Sequence, residues 1–441
     1  MPMSTYLIYR IAAAAALVSA AVVSGDAGAA AVASAAAAAV PGTTVVLPVY
    51  AVAAAHVAAT VAGTALILLT TLYAFAALLC RGRFFKPEPQ RGGRPAPVAV
   101  TVLKPLCGPE PRLEHNLATF CRQTHPQYQL VFGVRDPDDP AIAIVQRLMR
   151  RFPRVDMQLT VDSRLHGCNR KVGNLANMMA AARHPWLVLA DSDISVGPDY
   201  LERVTAPLHD PGVGIVTCLY HGRAQGGFWP RIGTLFIDAW FAPSVRVASS
   251  GGGSAFGFGA TIALRAATLR AVGGFDALKD RLADDYWLGA LTRRLGLRTV
   301  LSEVRVCTDV TEGSLGALWS RERRWLQTIR SLHPAGYACS CITFTLPMLA
   351  LGLWLAPTAG NGALAVAGTG ARLAIYMRRP APGIPAPGHA AWAPLRDCLL
   401  LLEWLSAFAG STTRWRRHLL PLHAPGMTPA RSAPATPDTP S

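Results

Sequence analysis

Charge is what this chain has least of. Only 15% of its 441 residues are Asp, Glu, Lys or Arg, against about a quarter in an ordinary soluble domain. The shortage is deepest at the two ends. With 51% hydrophobic residues and a mean hydropathy of +0.29, the chain reads as membrane segments flanking a soluble middle. Acidic residues are the scarcer sign, 26 against 42 basic ones, for a net charge of +16. Neither a basic stripe nor a binding module accompanies that excess, so no nucleic acid partner is expected. The basic residues lie instead beside apolar segments, at Arg81-Gly82-Arg83, Arg378-Arg379 and Arg414-Trp415-Arg416-Arg417, as membrane topology and an anionic lipid surface favour.

Two further absences narrow the chemistry. None of the nine cysteines forms a Cys-x-x-Cys pair, and Cys339 and Cys341 have no His or Cys at ligand spacing to complete a zinc site. Reduced thiols are the expectation. The run from Gly251 to Gly259 lacks the strand-to-helix turn and distal acid of a dinucleotide fingerprint. Its glycines would instead let backbone approach a ligand closely.

The apolar ends set the expected organisation. Residues 1–43 are Ala-rich; they resemble an export signal or supply a first transmembrane helix. Residues 44–80 are apolar for long enough to span a bilayer and end at Arg81, which keeps the chain beyond it in the cytoplasm. A basic Pro/Gly linker covers 81–97 and a soluble domain 98–335. Membrane or interfacial helices occupy 336–412. In that stretch Cys341–Ala359 and Ala363–Met377 form a candidate hairpin, and Cys398–Ala409 is a short interfacial segment. A basic, disordered tail occupies 413–441.

Within the soluble middle, strands alternate with helices. Strands are expected at Val98–Leu103, Gln129–Val134, Met157–Val161 and Trp186–Ala190. Helices are expected at Arg112–Gln123, Ala141–Arg151 and Gly173–Arg183. That alternation predicts an α/β fold with a mostly parallel central sheet covered by helices.

Chemistry-bearing residues punctuate this frame in order. Asp136 comes after the second strand, in turn-forming Asp-Pro-Asp-Asp-Pro; it suits a base or ribose contact, with Asp138 and Asp139 shaping the turn. Asp191-Ser192-Asp193 comes after a wholly apolar strand. There one carboxylate can face a ribose and the other a divalent Mg2+ or Mn2+ bridging phosphates, the alternative being a simple cap. Lys171 precedes a helix and reaches a diphosphate or solvent. His221, in His-Gly, is ambiguous between structure and chemistry. Asp284 and Asp285 open a helix, where they compensate its dipole or supply a general base. Arg321, Arg324 and Trp325 share one helix face, suited to a diphosphate and a sugar or to an interfacial surface.

Taken together, these motifs resemble the ceramide glucosyltransferases and their bacterial relatives, the hopanoid biosynthesis-associated glycosyltransferases. The likeness runs from about Val98 to Pro334 and rests on Leu103-Lys104-Pro105-Leu106, Asp136-Pro137, Asn169-Arg170-Lys171-Val172, Asp191-Ser192-Asp193, His221-Gly222, Asp285-Tyr286 and Arg321 to Trp325. It implies a GT-A nucleotide-sugar-binding fold flanked by N- and C-terminal transmembrane helices. It further implies inverting transfer from a UDP-sugar donor to a membrane lipid acceptor. By the resemblance, Asp136 and Asp191 bind the nucleotide sugar, Asp285 is the base, and Arg321, Arg324 and Trp325 close over diphosphate and acceptor. His221 corresponds to a functional His-Gly.

The eukaryotic ceramide enzymes carry Gly where this chain has Asp193, which favours direct metal ligation here. Cys121-Arg122-Gln123 and Leu165-His166-Gly167 resemble the hopanoid-associated group. That implies a hopanoid polyol acceptor, a UDP-N-acetylglucosamine donor and a multi-pass protein of the bacterial inner membrane. Ceramide with UDP-glucose, a processive polysaccharide synthase and a non-catalytic lipid-binding protein are the rival readings.

Overall fold

The computed structural model describes residues 46–82, 84–85, 96–251, 257–378, 390–410, 412–415 and 418–421. The Ala-rich segment 1–43, most of the linker, half of the glycine run and the tail beyond 421 lie outside the described residues.

An eight-stranded sheet organises the middle of the chain, in the order β3-β2-β1-β4-β7-β6-β8-β5. The strands are β1 (Val100–Pro105), β2 (Tyr128–Val134), β3 (Asp156–Val161), β4 (Trp186–Ala190), β5 (Ile194–Ser195), β6 (Val213–Ala224), β7 (Thr261–Arg265) and β8 (Arg298–Val310). β3, β2, β1 and β4 pair in parallel, as do β6 and β8. β7 runs antiparallel to both β4 and β6, and the two-residue β5 runs antiparallel to β8. The sheet is therefore mixed, with its parallel part where the apolar runs predict it.

Those runs are mostly apolar because both faces are covered, with Thr101, Lys104 and Gln129 as buried polar exceptions. Along β1 and β2, Val100, Val102, Leu130 and Phe132 join one core cluster, while Leu103 and Val131 join another. Such alternation places successive side chains on opposite faces. After a long N-terminal helix, α1 (Val46–Leu79), shorter helices cover the sheet: α2 (Leu113–Phe120), α3 (Ala141–Arg151), α4 (Arg170–Met178), α5 (Tyr200–Thr205), α6 (Phe228–Leu235), α7 (Ala242–Ser250), α8 (Ala266–Ala271) and α9 (Asp284–Arg294). α4 starts three residues before the expected Gly173, because the Asn169 side chain accepts from the backbone N–H groups of Lys171 and Val172.

The apolar ends are less regular than expected. Ala54–Leu79, within α1, is long and apolar enough to cross a membrane. The expected C-terminal hairpin is interrupted. Pro334–Thr343 and Thr345–Leu355 are bent by 79° at their junction, and the 11-residue second piece extends only about 16 Å, half a bilayer core. Pro357 bars its continuation. α10 (Leu315–Leu332) leads into this region, and the helices Ala359–Met377 and Ala393–Ser406 complete it. Ala393–Ser406 starts before the expected Cys398 and buries three charged residues, Arg396, Asp397 and Glu403. Asp397 pairs with the fully buried Arg372 of Ala359–Met377. Among the described residues one helix is long and apolar enough to cross a membrane, or two where the bent pair forms a single span.

Candidate active site

A cleft of about 1760 Å3 opens at the carboxyl edge of the sheet, where ligands gather in open α/β folds. It collects Asp136, Lys171, Asp191, Asp193, Asp285, Arg321, Arg324 and Trp325. Of the sequence-derived candidates, only His221 lies elsewhere.

Asp191 leaves the end of β4, and Asp193 precedes β5 directly. The β5–β8 pairing fixes Asp193: its backbone carbonyl accepts from Asp309 N–H at 3.1 Å, and its Oδ2 accepts from Thr308 Oγ1 at 3.0 Å. Burial, together with the charges of Asp191 and Glu110, pushes the Asp193 carboxyl up to about 7. Crowded carboxylates of this kind are relieved by a bound cation. Among the described residues no three His, Cys, Asp or Glu side chains converge as a metal site. The donor set is nevertheless of the right kind for Mg2+ or Mn2+, which take one or two carboxylates and complete their shell with phosphate oxygens and water. Asp191 and Asp193 would hold such an ion.

Lys171 is neither at solvent nor free. Its Nζ lies 2.6 Å from Asp191 Oδ1 and 3.9 Å from Asp284 Oδ2. Burial disfavours its charge, but Asp191 and Asp284, with a smaller contribution from Asp285, outweigh burial and raise its pKa. Lys104, a strand residue whose role the sequence left unread, lies beneath the same group. It is fully buried, donates to the Asp191 backbone carbonyl and sits 3.9 Å from the centre of the Phe120 ring. Burial lowers it to about 7, against the pull of Asp191 and Asp193.

Asp285 enters from the first turn of α9. Its Oδ1 accepts from Tyr286 N–H at 2.8 Å and its Oδ2 from Gly259 N–H at 2.9 Å. Burial, then the neighbouring Asp284, raise its carboxyl to about 6, while Lys171 and these hydrogen bonds limit the rise. The end of the glycine run explains its own composition. A Cβ on Gly257 would stand 2.2 Å from the Asp285 carbonyl oxygen. One on Gly259 would stand 3.3 Å from Lys171 Nζ, 3.4 Å from Asp285 Oδ2 and 3.6 Å from Asp191 Oδ2. The glycines let backbone approach the acids themselves, and Lys171, Asp191 and Asp285 converge on one methyl-sized space.

Asp136 is exposed at the cleft margin, and its Oδ1 accepts from Asp138 N–H at 3.0 Å. Asp139 is turned inward, where it accepts from Gly108 N–H and from Ala141 N–H at the start of α3. On the opposite wall, Arg321 pairs with Glu312 at 2.7 Å and lies 5.2 Å from the Trp325 ring centre.

His221 is one residue out of phase. Its neighbour Tyr220 faces the cleft, so His221 faces away from it, beside Asp238, Arg246 and Arg305 in a separate small cavity. Burial, then Arg305 and Arg223, hold it down at about 4. Tyr220 itself drew no notice in the sequence, although the period-two pattern of β6 carries the signal. The aromatic residues Phe236, Trp240, Phe241 and Phe258 were missed because nothing in their spacing distinguishes a cleft wall from a core.

The model for glycosyl transferase family 21 matches residues 62–427. Ceramide glucosyltransferase 1 of Caenorhabditis elegans is 25% identical over 251 residues, covering 56% of this chain and 52% of that protein. Ceramide glucosyltransferase of Candida albicans is 32% identical over 123 residues, covering 25% and 22% respectively. The chain spans about half the length of the Caenorhabditis elegans relatives it matches. A mannosyltransferase from Pyrobaculum calidifontis, solved with GDP-Man and Mn2+, aligns over 80% of this chain and 98% of its own with a TM-score of 0.50 and 20% identity. That likeness concerns the fold alone, a GT-A-like mixed sheet. With the family match extending over most of its length, the chain belongs to glycosyl transferase family 21.

Proposed function

We propose that this protein moves one sugar from a UDP-sugar to the hydroxyl of a membrane lipid by a single, inverting displacement. The observation that carries the reading is the convergence beside Gly259 of Asp285 with the Lys171–Asp191 pair. A donor bound along Asp136 and Asp191 presents its anomeric carbon to that space. Asp285 takes the proton of the lipid hydroxyl as its oxygen bonds to the anomeric carbon. The bond to UDP breaks with its electron pair leaving on the diphosphate. A carboxyl near 6 is well poised for this, because it is ionised at neutral pH yet basic enough to accept a proton.

A divalent cation between Asp191 and Asp193 would offset charge on the departing diphosphate. Arg321 and Arg324 serve the same charge from the opposite wall, and Trp325 closes over donor and acceptor. Residues 98–335 would form the cytoplasmic catalytic domain, anchored in a bacterial inner membrane by the helix ending at Leu79. The exposed side chains Leu72, Phe75, Leu351, Trp354 and Val366 on the membrane-proximal helices support a lipid setting.

For the acceptor we favour a hopanoid polyol, with UDP-N-acetylglucosamine as donor, on the resemblance of Cys121-Arg122-Gln123 and Leu165-His166-Gly167 to the hopanoid-associated enzymes. The names of the curated relatives support a second reading, ceramide with UDP-glucose. Mass spectrometry of lipids from cells with and without the protein separates them: one hexosamine on a hopanoid against one hexose on ceramide. Asp285→Asn should abolish transfer while leaving UDP-sugar binding intact, and normal turnover in that variant would remove Asp285 as the base.

A further inference from the structure

Six aromatic rings form a continuous panel along one wall of the cleft. Tyr220 stacks on Phe241 with ring centres 5.0 Å apart and meets Trp325 edge-on at 6.4 Å. Phe241 meets Phe258 at 5.2 Å; Trp325 meets Phe236 at 5.6 Å, and Phe236 meets Trp240 at 4.8 Å. All six line the same space as the carboxylates. Tyr220 is the junction, since its ring meets Phe241, Phe258 and Trp325.

The backbone is shaped to build this wall. Between α6 and α7 the helix widens into a π-helical segment, Phe236–Phe241. Such segments are rare and recur at functional sites. Phe236, Ile237, Trp240 and Phe241 of this segment line the cleft together, as two pairs four residues apart that share one face. Trp240 is braced from behind, its indole N–H donating to Thr343 Oγ1 at 2.8 Å at the bend between the two C-terminal helical pieces.

The panel also lies on a definite side. Asp136 lies just past β2 and Tyr220 lies on β6, four strand spacings apart in the sheet, with Asp191 at the end of β4 between them. At about 4.8 Å per spacing this separates Asp136 from Tyr220 by roughly 19 Å. A nucleotide reaching from Asp136 to Asp191 therefore leaves the panel uncovered on the far side of Asp285.

We infer that the aromatic panel from Tyr220 to Trp240 is the seat of the acceptor's hydrocarbon body, selecting an uncharged lipid alcohol whose apolar part lies against Phe241 and Phe258 while its hydroxyl meets Asp285. This rests on the lipid acceptor proposed above. Flat, rigid rings offer large apolar contact at low cost in side-chain order.

The test uses the full chain in lipid nanodiscs, with ceramide and a hopanoid polyol as separate acceptors and UDP-glucose and UDP-N-acetylglucosamine as donors. Phe241→Ala and Phe258→Ala should each raise the acceptor KM roughly ten- to hundredfold, the range that burying one such ring supports. Phe241→Leu and Phe258→Leu should recover most of that loss, while the KM for UDP-sugar moves less than threefold. Phe258 lies on a loop, so its truncation keeps the test informative should Phe241→Ala fail to fold. An unchanged acceptor KM in a folded Phe258→Ala protein overturns the inference and leaves the lipid reaction standing. A wild-type protein that hydrolyses UDP-sugar but glycosylates neither acceptor overturns the lipid reading and this inference with it.

Discussion

Gly257→Ala is the sharpest perturbation the site offers, because it adds one methyl group and touches no functional side chain. The new Cβ would stand 2.2 Å from the Asp285 carbonyl oxygen and 2.9 Å from its carbonyl carbon, where 3.4 Å is ordinary contact. The neighbour is backbone and cannot swing aside, so the two segments must part by about 1.2 Å. Asp285 is held on that side by the Gly259 N–H, and its carboxyl moves with the first turn of α9. A misplacement of about 1 Å costs on the order of a hundredfold in rate, or about 2.7 kcal/mol in barrier height. The assay is kcat for sugar transfer at saturating donor and acceptor, paired with a melting curve to show that the variant is folded. Gly259→Ala separates the two effects. Its Cβ meets its neighbours at 3.3 Å or more and displaces no backbone, but it occupies the space beside Lys171, Asp191 and Asp285. It should therefore lower kcat by blocking the donor rather than by moving α9. A folded Gly257→Ala protein with kcat within threefold of wild type would refute both the close approach and the dependence on Asp285.

The structure sets four further outcomes. Asp285 must be ionised to act as a base and its carboxyl is raised to about 6, so kcat/KM should fall as pH drops through about 6 and level off above it. Lys171→Met removes a charge that lowers that pKa and should move the limb to higher pH; a limb below pH 5 in the wild type would contradict the assignment. Arg396 lies fully buried between Glu322 and Glu403, its Nη1 2.8 Å from Glu322 Oε2. Arg396→Ala strands two buried acids and should cost roughly 3–5 kcal/mol in denaturant unfolding, with a loss below about 1 kcal/mol counting against a buried pair there. Chelation with EDTA should reduce transfer more than tenfold, with Mg2+ or Mn2+ restoring it; full activity under EDTA would remove Asp191 and Asp193 from a metal role.

Much of the sheet was legible because burial on both faces leaves mostly apolar residues in β1, β2 and β4. Trp186–Ala190 and Ala141–Arg151 match their expected bounds, and Tyr128–Val134 differs by one residue. The antiparallel insertion of β7 between β4 and β6 was not legible, since strand order depends on pairings remote in sequence. The candidate hairpin from Cys341 to Met377 corresponds to two successive helices, Thr345–Leu355 and Ala359–Met377. The first ends just before Pro357 and is preceded by a 79° bend that hydropathy does not register.

The site divides along the same line. Local sequence identified Asp191, Asp193, Asp285 and the Arg321–Trp325 face, because strand ends, helix starts and helical spacing are short-range properties. It could not tell that Lys171 reaches Asp191 rather than solvent, or that Lys104 is buried beneath them. The sequence singled out His221 over Tyr220 until β6 was placed, when alternation turned Tyr220 into the cleft and His221 away from it. By itself the sequence determined which carboxylates and cations were available and which backbone elements carried them. Only the tertiary structure decided which of them share one space, because that depends on the sheet order and on a glycine backbone approaching Asp285 more closely than any side chain would allow.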